Sequence, residues 1–327
     1  MLNHGDVLAA LSPAACAAAM ADVLAEHARS GGYQPLRSVM TAPQAAGFMG
    51  LMPAWRGPQP GGDAAFGLKA VCIIPANPGR GLDAHQGLVT LFDGQTGRPT
   101  AILNAAAVTE VRTAAVSAVA TRALAGPRPR VLAILGAGTQ ARAHLRALAL
   151  DGQFEQVRLY SPRPDRAREL AGTAAGRGPA ALVAGSAQEA LDGADVVVTA
   201  TSSREPVLRR EWLAPGAHVN AVGASTPAAR ELDTATVAAS ALFCDSRESL
   251  RQEAGEFALA IREGLIAGEE HVRAELGEVL AGTAPGRRDA AELTVFRSLG
   301  LAIEDLAAAQ AAVAAARASG LGAEVDL

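Results

Sequence analysis

The sequence predicts an α/β protein of two domains: a doubly wound parallel sheet, and an α+β domain built from the amino-terminal part of the chain and its last helix. Three observations carry this expectation. From Arg130 onward short apolar runs alternate with helical segments, the pattern of parallel strands joined by helical crossovers. Before that, residues 37–103 hold apolar runs separated by Gly, Pro and Asn, which reads as hairpins. At 327 residues the chain also exceeds one average core. We place the α+β domain at 1–118 with 296–327 and the parallel-sheet domain at 119–295.

Residues 7–30 have helical spacing, with Ser12-Pro13 marking a helix start. The hairpin region is built from Phe48–Met52, Gly67–Ile74, Gly87–Phe92 and Pro99–Leu103, the last two joined by the turn signal Asp93-Gly94-Gln95-Thr96-Gly97. The Ala-rich segment Ala105–Leu124 is a long helix that leads out of the first domain. In the second domain, strands are expected at Val131–Leu135, Val157–Tyr160, Val196–Thr199, His218–Val222 and Leu242–Cys244, with a helix over Gln140–Leu150. The apolar segment Thr294–Ala318 reads as one helix returning to the first domain.

Half of the residues are hydrophobic and 3% are aromatic, a globular rather than a disordered composition. A formal net charge of −4, with no basic patch interleaved with aromatics, argues against nucleic acid as a partner. The amino terminus lacks an export pattern and no apolar run approaches bilayer length, so a cytoplasmic protein without membrane contact is expected. Cys16, Cys72 and Cys244 are far apart and follow no metal-ligand spacing; we read them as small core residues, with neither a disulfide framework nor a metal site.

Of 29 basic residues only Lys69 is a lysine. It lies in the strand-like run Phe66–Ile74, where an ammonium is costly without a partner or ligand. Lysine, unlike arginine, changes pKa on burial and can hand over a proton, so Lys69 is a candidate functional residue. A second motif is Gly136-Ala137-Gly138-Thr139-Gln140-Ala141, directly after the Val131–Leu135 strand and before a helix. In that context it fits a dinucleotide cradle of the Rossmann type. Gly136 allows the tight turn, Gly138 lets backbone approach a pyrophosphate, and Ala141 is small enough for close helix–strand packing. The helix amino terminus adds N–H groups and positive dipole. The next strand ends in Ser161-Pro162-Arg163 instead of the acid that binds ribose hydroxyls. Ser161 and Arg163 suit a 2′-phosphate, which favours NADPH while leaving NADH open, since Asp165 is a possible substitute acid. Thr201, Val222 and Gly223 complete the candidate cofactor-binding set.

These motifs, together with Gly87–Phe92, Glu110–Ala118, Asn220–Ser225 and Thr294–Gly300, occur in an order that resembles the ornithine cyclodeaminase/mu-crystallin family over nearly the whole chain. The resemblance implies a homodimer, a dinucleotide-binding Rossmann domain, and a substrate carboxylate held by Arg37, Lys69 and Arg112. A bidentate arginine clamp with an ammonium suits a small imino or amino acid. The sequence departs from true cyclodeaminases at two acid positions, with Gly50 before Leu51-Met52-Pro53 and Ser225 after Gly223-Ala224. Losing both carboxylates removes the partner for a distal ammonium and a general base for deamination. The resemblance therefore implies a ketimine or pyrroline-2-carboxylate reductase, with cyclodeaminase or alanine dehydrogenase activity and non-catalytic NADPH-dependent ligand binding as alternatives. Lys69, His85 and a water held by Ser225 and Thr226 stand as candidate proton sources. His85 fits a structural hydrogen-bonding role equally well.

Overall fold

The computed structural model describes residues 1–58, 62–149, 154–176, 178–224 and 226–326, apart from the side chain of Pro78. The chain divides into two compact units, Met1–Arg112 with Gly300–Leu327, and Thr113–Leu299. The sequence reading set these divisions at 118/119 and 295/296.

Unit 1 begins with two helices, α1 (His4–Ala10) and α2 (Pro13–Ala28), the second starting at the Ser12-Pro13 signal that the sequence carries. Proline lacks the N–H that a continuing helix needs. Here Pro13 opens α2, and the Ser12 side chain accepts a hydrogen bond from the Ala15 N–H. Six strands follow: β1 (Gly32–Tyr33), β2 (Ser38–Met40), β3 (Phe48–Arg56), β4 (Ala65–Ile73), β5 (His85–Asp93) and β6 (Pro99–Asn104). They form an antiparallel sheet in the order β1-β3-β4-β5-β6, with β2 also on β3. Helix α3 (Ala105–Leu124) carries the chain into unit 2.

Unit 2 holds β7 (Val131–Leu135), α4 (Thr139–His144), β8 (Gln156–Tyr160), α5 (Pro164–Thr173), β9 (Ala181–Val183), α6 (Ala187–Leu191), β10 (Val196–Thr199) and β11 (His218–Ala221). It continues through α7 (Thr234–Ala239), β12 (Ala241–Cys244), α8 (Arg247–Glu253), α9 (Gly255–Arg262), β13 (Val272–Glu275), α10 (Leu276–Leu280) and β14 (Thr294–Arg297). The strands form one parallel sheet in the order β13-β12-β14-β11-β10-β7-β8-β9. Both of its faces are covered: Leu132 and Ile134 enter one core, Ala133 and Leu135 the other. Two-sided burial explains why these strands read as unbroken apolar runs.

Two expectations are corrected here. The helix after β7 is α-helical only to His144 and continues as a π-helix over Leu145–Ala149; Leu150 lies outside the described residues. The segment Thr294–Ala318 is not one helix. Its first four residues are β14, inserted between β11 and β12, and the helix α11 spans Ala302–Ser319 in unit 1. Thr-Val-Phe favours a pleated, buried position, and Gly300, with φ +83°, breaks the chain between strand and helix.

In unit 1, α11 packs on the inner face of the sheet and against the buried side of α2. Among the described residues no single helix is long and apolar enough to cross a membrane; α1 and α2 meet that test only as a pair bent by 82°. The three cysteines are free, Cys16 and Cys244 being buried.

Candidate functional site

Lys69 lies at the middle of β4, directly opposite Met52 of β3 and Val89 of β5. Its face of the strand, with Ala65, Gly67 and Val71, is buried beneath α11. Gly67 makes the close approach possible, since a Cβ there would stand 2.9 Å from Leu306 Cδ1. The residue before Leu306 is Asp305, and its Oδ2 sits 2.6 Å from Lys69 Nζ. The other carboxylate oxygen, Oδ1, accepts from Arg112 Nε at 3.0 Å. Arg112 Nη1 donates to Glu304 Oε2 at 2.8 Å, and the same carboxylate accepts from the Leu301 N–H at the start of α11. Thr109 Oγ1 lies 3.5 Å from Lys69 Nζ.

Arg37 joins this group through the backbone. Its Nη2 donates to the Gly300 carbonyl at 2.9 Å, while a Cβ on Gly300 would meet the Arg112 guanidinium at 2.7 Å. The three cations proposed from sequence are thus assembled around the first turn of α11. Glu304 and Asp305 went unnoticed there; two adjacent acids at the start of an otherwise apolar helix were the available signal.

Lys69, Arg112, Glu304 and Asp305 are all buried. Burial pulls the Lys69 ammonium down to about 8, opposed by the Asp305 carboxylate and assisted by the Arg112 and Arg37 charges. Burial pushes the Asp305 carboxyl up, but Lys69 and Arg112 outweigh it and hold the group below its ordinary value. Lys69 and Asp305 are therefore ionised at neutral pH, and the Arg112 and Arg37 guanidinium groups stand with them at the start of α11. Such a set is suited to one further carboxylate.

His85 is the first residue of β5, exposed, with Nδ1 3.6 Å from Asp83 Oδ1. Strand pairing sets it opposite Ile73, four residues and therefore about 13 Å along β4 from Lys69. The structure does not bring the two together within unit 1. Ser225 lies outside the described residues.

In unit 2 the cradle fits a dinucleotide. Gly136 has φ +123°, and a Cβ there would stand 2.4 Å from the Ala200 carbonyl oxygen, so only glycine makes this turn. A Cβ on Gly138, the N-cap of α4, would meet nothing within 4 Å, and the helix start carries no side-chain cap. Ala141 is fully buried in the core beneath β7 and β10. These are the properties that let a pyrophosphate reach the Gly138, Thr139 and Gln140 backbone, with Ala137 in the turn. Ser161, at the end of β8, is buried and its Oγ accepts from the Arg163 N–H at 3.2 Å; Arg163 is exposed. Asp165, the candidate substitute acid, is exposed and paired with Arg168. Thr201 follows β10, and Val222 and Gly223 follow β11. A buried carboxylate missed by sequence reasoning, Glu231, accepts hydrogen bonds from the Thr201 and Gly223 N–H groups, both at 2.6 Å. His144 and His218 are buried, which holds their imidazoles down to about 4 and about 3, so they are neutral at pH 7. No group of three or more His, Cys, Asp or Glu is placed to hold a metal among the described residues.

The chain is 40% identical over 280 residues to the mouse (Mus musculus) ketimine reductase mu-crystallin, covering 86% of this chain and 84% of the relative. The fold is similar to that of Thermococcus litoralis Δ1-pyrroline-2-carboxylate reductase in complex with NADH and L-proline, with TM-score 0.93, 34% identity and 99% of each chain covered. It is also similar to an archaeal alanine dehydrogenase dimer with bound NAD, with TM-score 0.91, 32% identity and coverage of 99% and 98%. The model of the ornithine cyclodeaminase/mu-crystallin family matches residues 1–319, and the chain belongs to that family.

Proposed function

We propose that the protein is an NAD(P)H-dependent reductase of small cyclic imino acids of the ketimine or pyrroline-2-carboxylate type. The observation that carries this reading is the group in unit 1 where Lys69, Arg112 and the half-buried Arg37 gather with Asp305 and Glu304 around the start of α11. Arg37 and Arg112 take the substrate carboxylate and so fix the orientation of the adjacent C=N bond. Lys69, titrating near 8, is matched to donate a proton to the imine nitrogen at neutral pH. The cradle from Gly136 to Ala141 holds the dinucleotide, with Thr201, Val222 and Gly223 on its nicotinamide side. The bound nicotinamide supplies the hydride. Ser161 and the exposed Arg163 favour NADPH over NADH, because Asp165 is engaged by Arg168 and no other acid follows β8 directly.

The same reading includes a homodimer. The outer face of the unit 1 sheet carries Met40, Leu51, Phe66 and Leu88, all exposed in the single chain. A contiguous apolar face of this kind is characteristic of a surface covered by a partner. Sedimentation of the purified protein at twice the mass of one chain supports this part of the reading; a monomer at micromolar concentration removes it.

The deciding experiment follows NADPH and NADH oxidation with pyrroline-2-carboxylate, paired with ornithine plus NAD and alanine plus NAD. Imine-dependent oxidation without amino-acid turnover is the expected result. Turnover of ornithine or alanine as the main activity replaces the reductase assignment, and dinucleotide binding without any turnover replaces it with ligand binding.

A further inference from the structure

Glu231 is fully buried in unit 2, and the chemistry above does not use it. Its carboxylate ties two strand ends together. Oε2 accepts from Thr199 Oγ1 at 2.8 Å and from the Gly223 N–H at 2.6 Å, and Oε1 accepts from the Thr201 N–H at 2.6 Å. Its own backbone is anchored by hydrogen bonds to its carbonyl from the Val207 and Leu208 N–H groups, at 2.8 and 3.1 Å. All three donors to the carboxylate are uncharged. A desolvated carboxylate held this way is costly unless each donor is aimed at it.

The segments it ties are those next to the cradle. Sheet order reverses between β7 and β10, with β8 and β9 on one side and β10 and β11 on the other. A dinucleotide whose pyrophosphate lies at the end of β7, and whose adenosine half turns toward β8, directs its nicotinamide half to the ends of β10 and β11. The contacts are continuous. A Cβ on Gly136 would strike the Ala200 carbonyl, and one on Gly223 would stand 2.1 Å from Thr201 O and 2.5 Å from Glu231 Oε1. No side chain larger than hydrogen fits at Gly223 while the carboxylate holds Thr201.

We propose that Glu231 is a positioning residue for the nicotinamide half of the dinucleotide: it sets the spacing of the Thr201 and Gly223 backbones, against which that ring is seated. This rests on the reading that unit 2 binds a dinucleotide. Glu231→Gln puts an NH2 group against one of the backbone N–H donors and so disturbs that spacing without changing side-chain size.

The test is calorimetric titration of wild type and E231Q with NADH and with ADP-ribose, which lacks only the nicotinamide. Where the wild type prefers NADPH, the pair is NADPH and 2′-phospho-ADP-ribose. Loss of one well-made buried hydrogen bond predicts an NADH dissociation constant raised about tenfold, with ADP-ribose changed by less than about twofold. Equal weakening of both ligands, or of neither, overturns the proposal, since a general loss of structure does not distinguish the two halves. Should E231Q fail to fold by circular dichroism, Thr199→Val removes one donor and keeps the shape. A selective loss of about threefold for NADH is then expected, and an unselective or absent loss overturns the proposal. Wild-type protein that binds neither NADH nor NADPH removes the dinucleotide reading itself, and this inference with it, before any variant is measured.

Discussion

In unit 1 the buried charges meet as opposed side chains from distant parts of the chain: Lys69 from β4, Arg112 from α3, and Glu304 and Asp305 from α11. In unit 2 the cradle is six contiguous residues, and the buried Glu231 carboxylate beside it accepts from a hydroxyl and two backbone amides among the described residues. The first arrangement uses cations that a ligand carboxylate can share. The second uses backbone geometry that one carboxylate with uncharged donors holds still. Removing one member of the first leaves uncompensated charge in the interior, whereas altering the second displaces a surface of backbone amides. The two regions therefore fail differently: unit 1 in folding stability and pH response, unit 2 in dinucleotide affinity.

The largest expected effect follows from removing the carboxylate that two cations share. Asp305→Ala strands Lys69 in the interior and leaves Arg112 with one fewer carboxylate partner, Glu304 remaining; it should cost about 3–5 kcal/mol of folding stability, read as a lower midpoint in urea unfolding. A loss under about 1 kcal/mol would show that the cations are solvated, and the contrast between the units would collapse. Next, Gly136→Ala forces a Cβ to within 2.4 Å of the Ala200 carbonyl at a left-handed φ. Dinucleotide affinity should fall at least about tenfold with the carboxylate site of unit 1 intact, as judged by proline binding. Equal weakening of proline binding would blur the separation.

The pH response sharpens the comparison. The Lys69 pKa in the folded protein, about 8, lies below its ordinary 10.5. The unfolded chain therefore binds the additional proton between those values, and folding stability from this group rises as pH increases from 8 to 10.5. Activity runs the other way. Above pH 8 the ammonium is lost, so kcat for the imine should fall, and Lys69→Arg, which stays charged but does not hand over its proton, should lower kcat at every pH and remove that limb. An identical profile in the variant would remove Lys69 as its origin. The smallest effect is expected from the exposed Arg163. Its replacement by Ala should weaken NADPH about fivefold to tenfold and leave NADH unchanged; equal loss of both dinucleotides would assign Arg163 a role in folding the β8 end.

The sequence by itself determined the features whose causes are local. Two-sided burial wrote β7 and β10 as unbroken apolar runs, a strand–glycine–helix succession marked the cradle, and a lone lysine inside an apolar strand marked Lys69. The family resemblance brought Arg37 and Arg112 to the same site before any contact was known. Only the tertiary structure decided what neutralises and aims these groups. Asp305 and Glu304 lie nearly two hundred residues after Arg112 in the chain, and they meet it because Gly67 lets α11 settle on β4. The strand β14 was hidden for a related reason. Thr294–Arg297 are apolar enough for either a helix or a strand, and their pairing with β11 and β12 settled the choice. Glu231 carries no local pattern at all; its meaning lies in three donors from two other strand ends. Local chemistry is legible where period and neighbouring residues suffice, and partner choice is not, because it depends on which distant surfaces fit closely enough to exclude water.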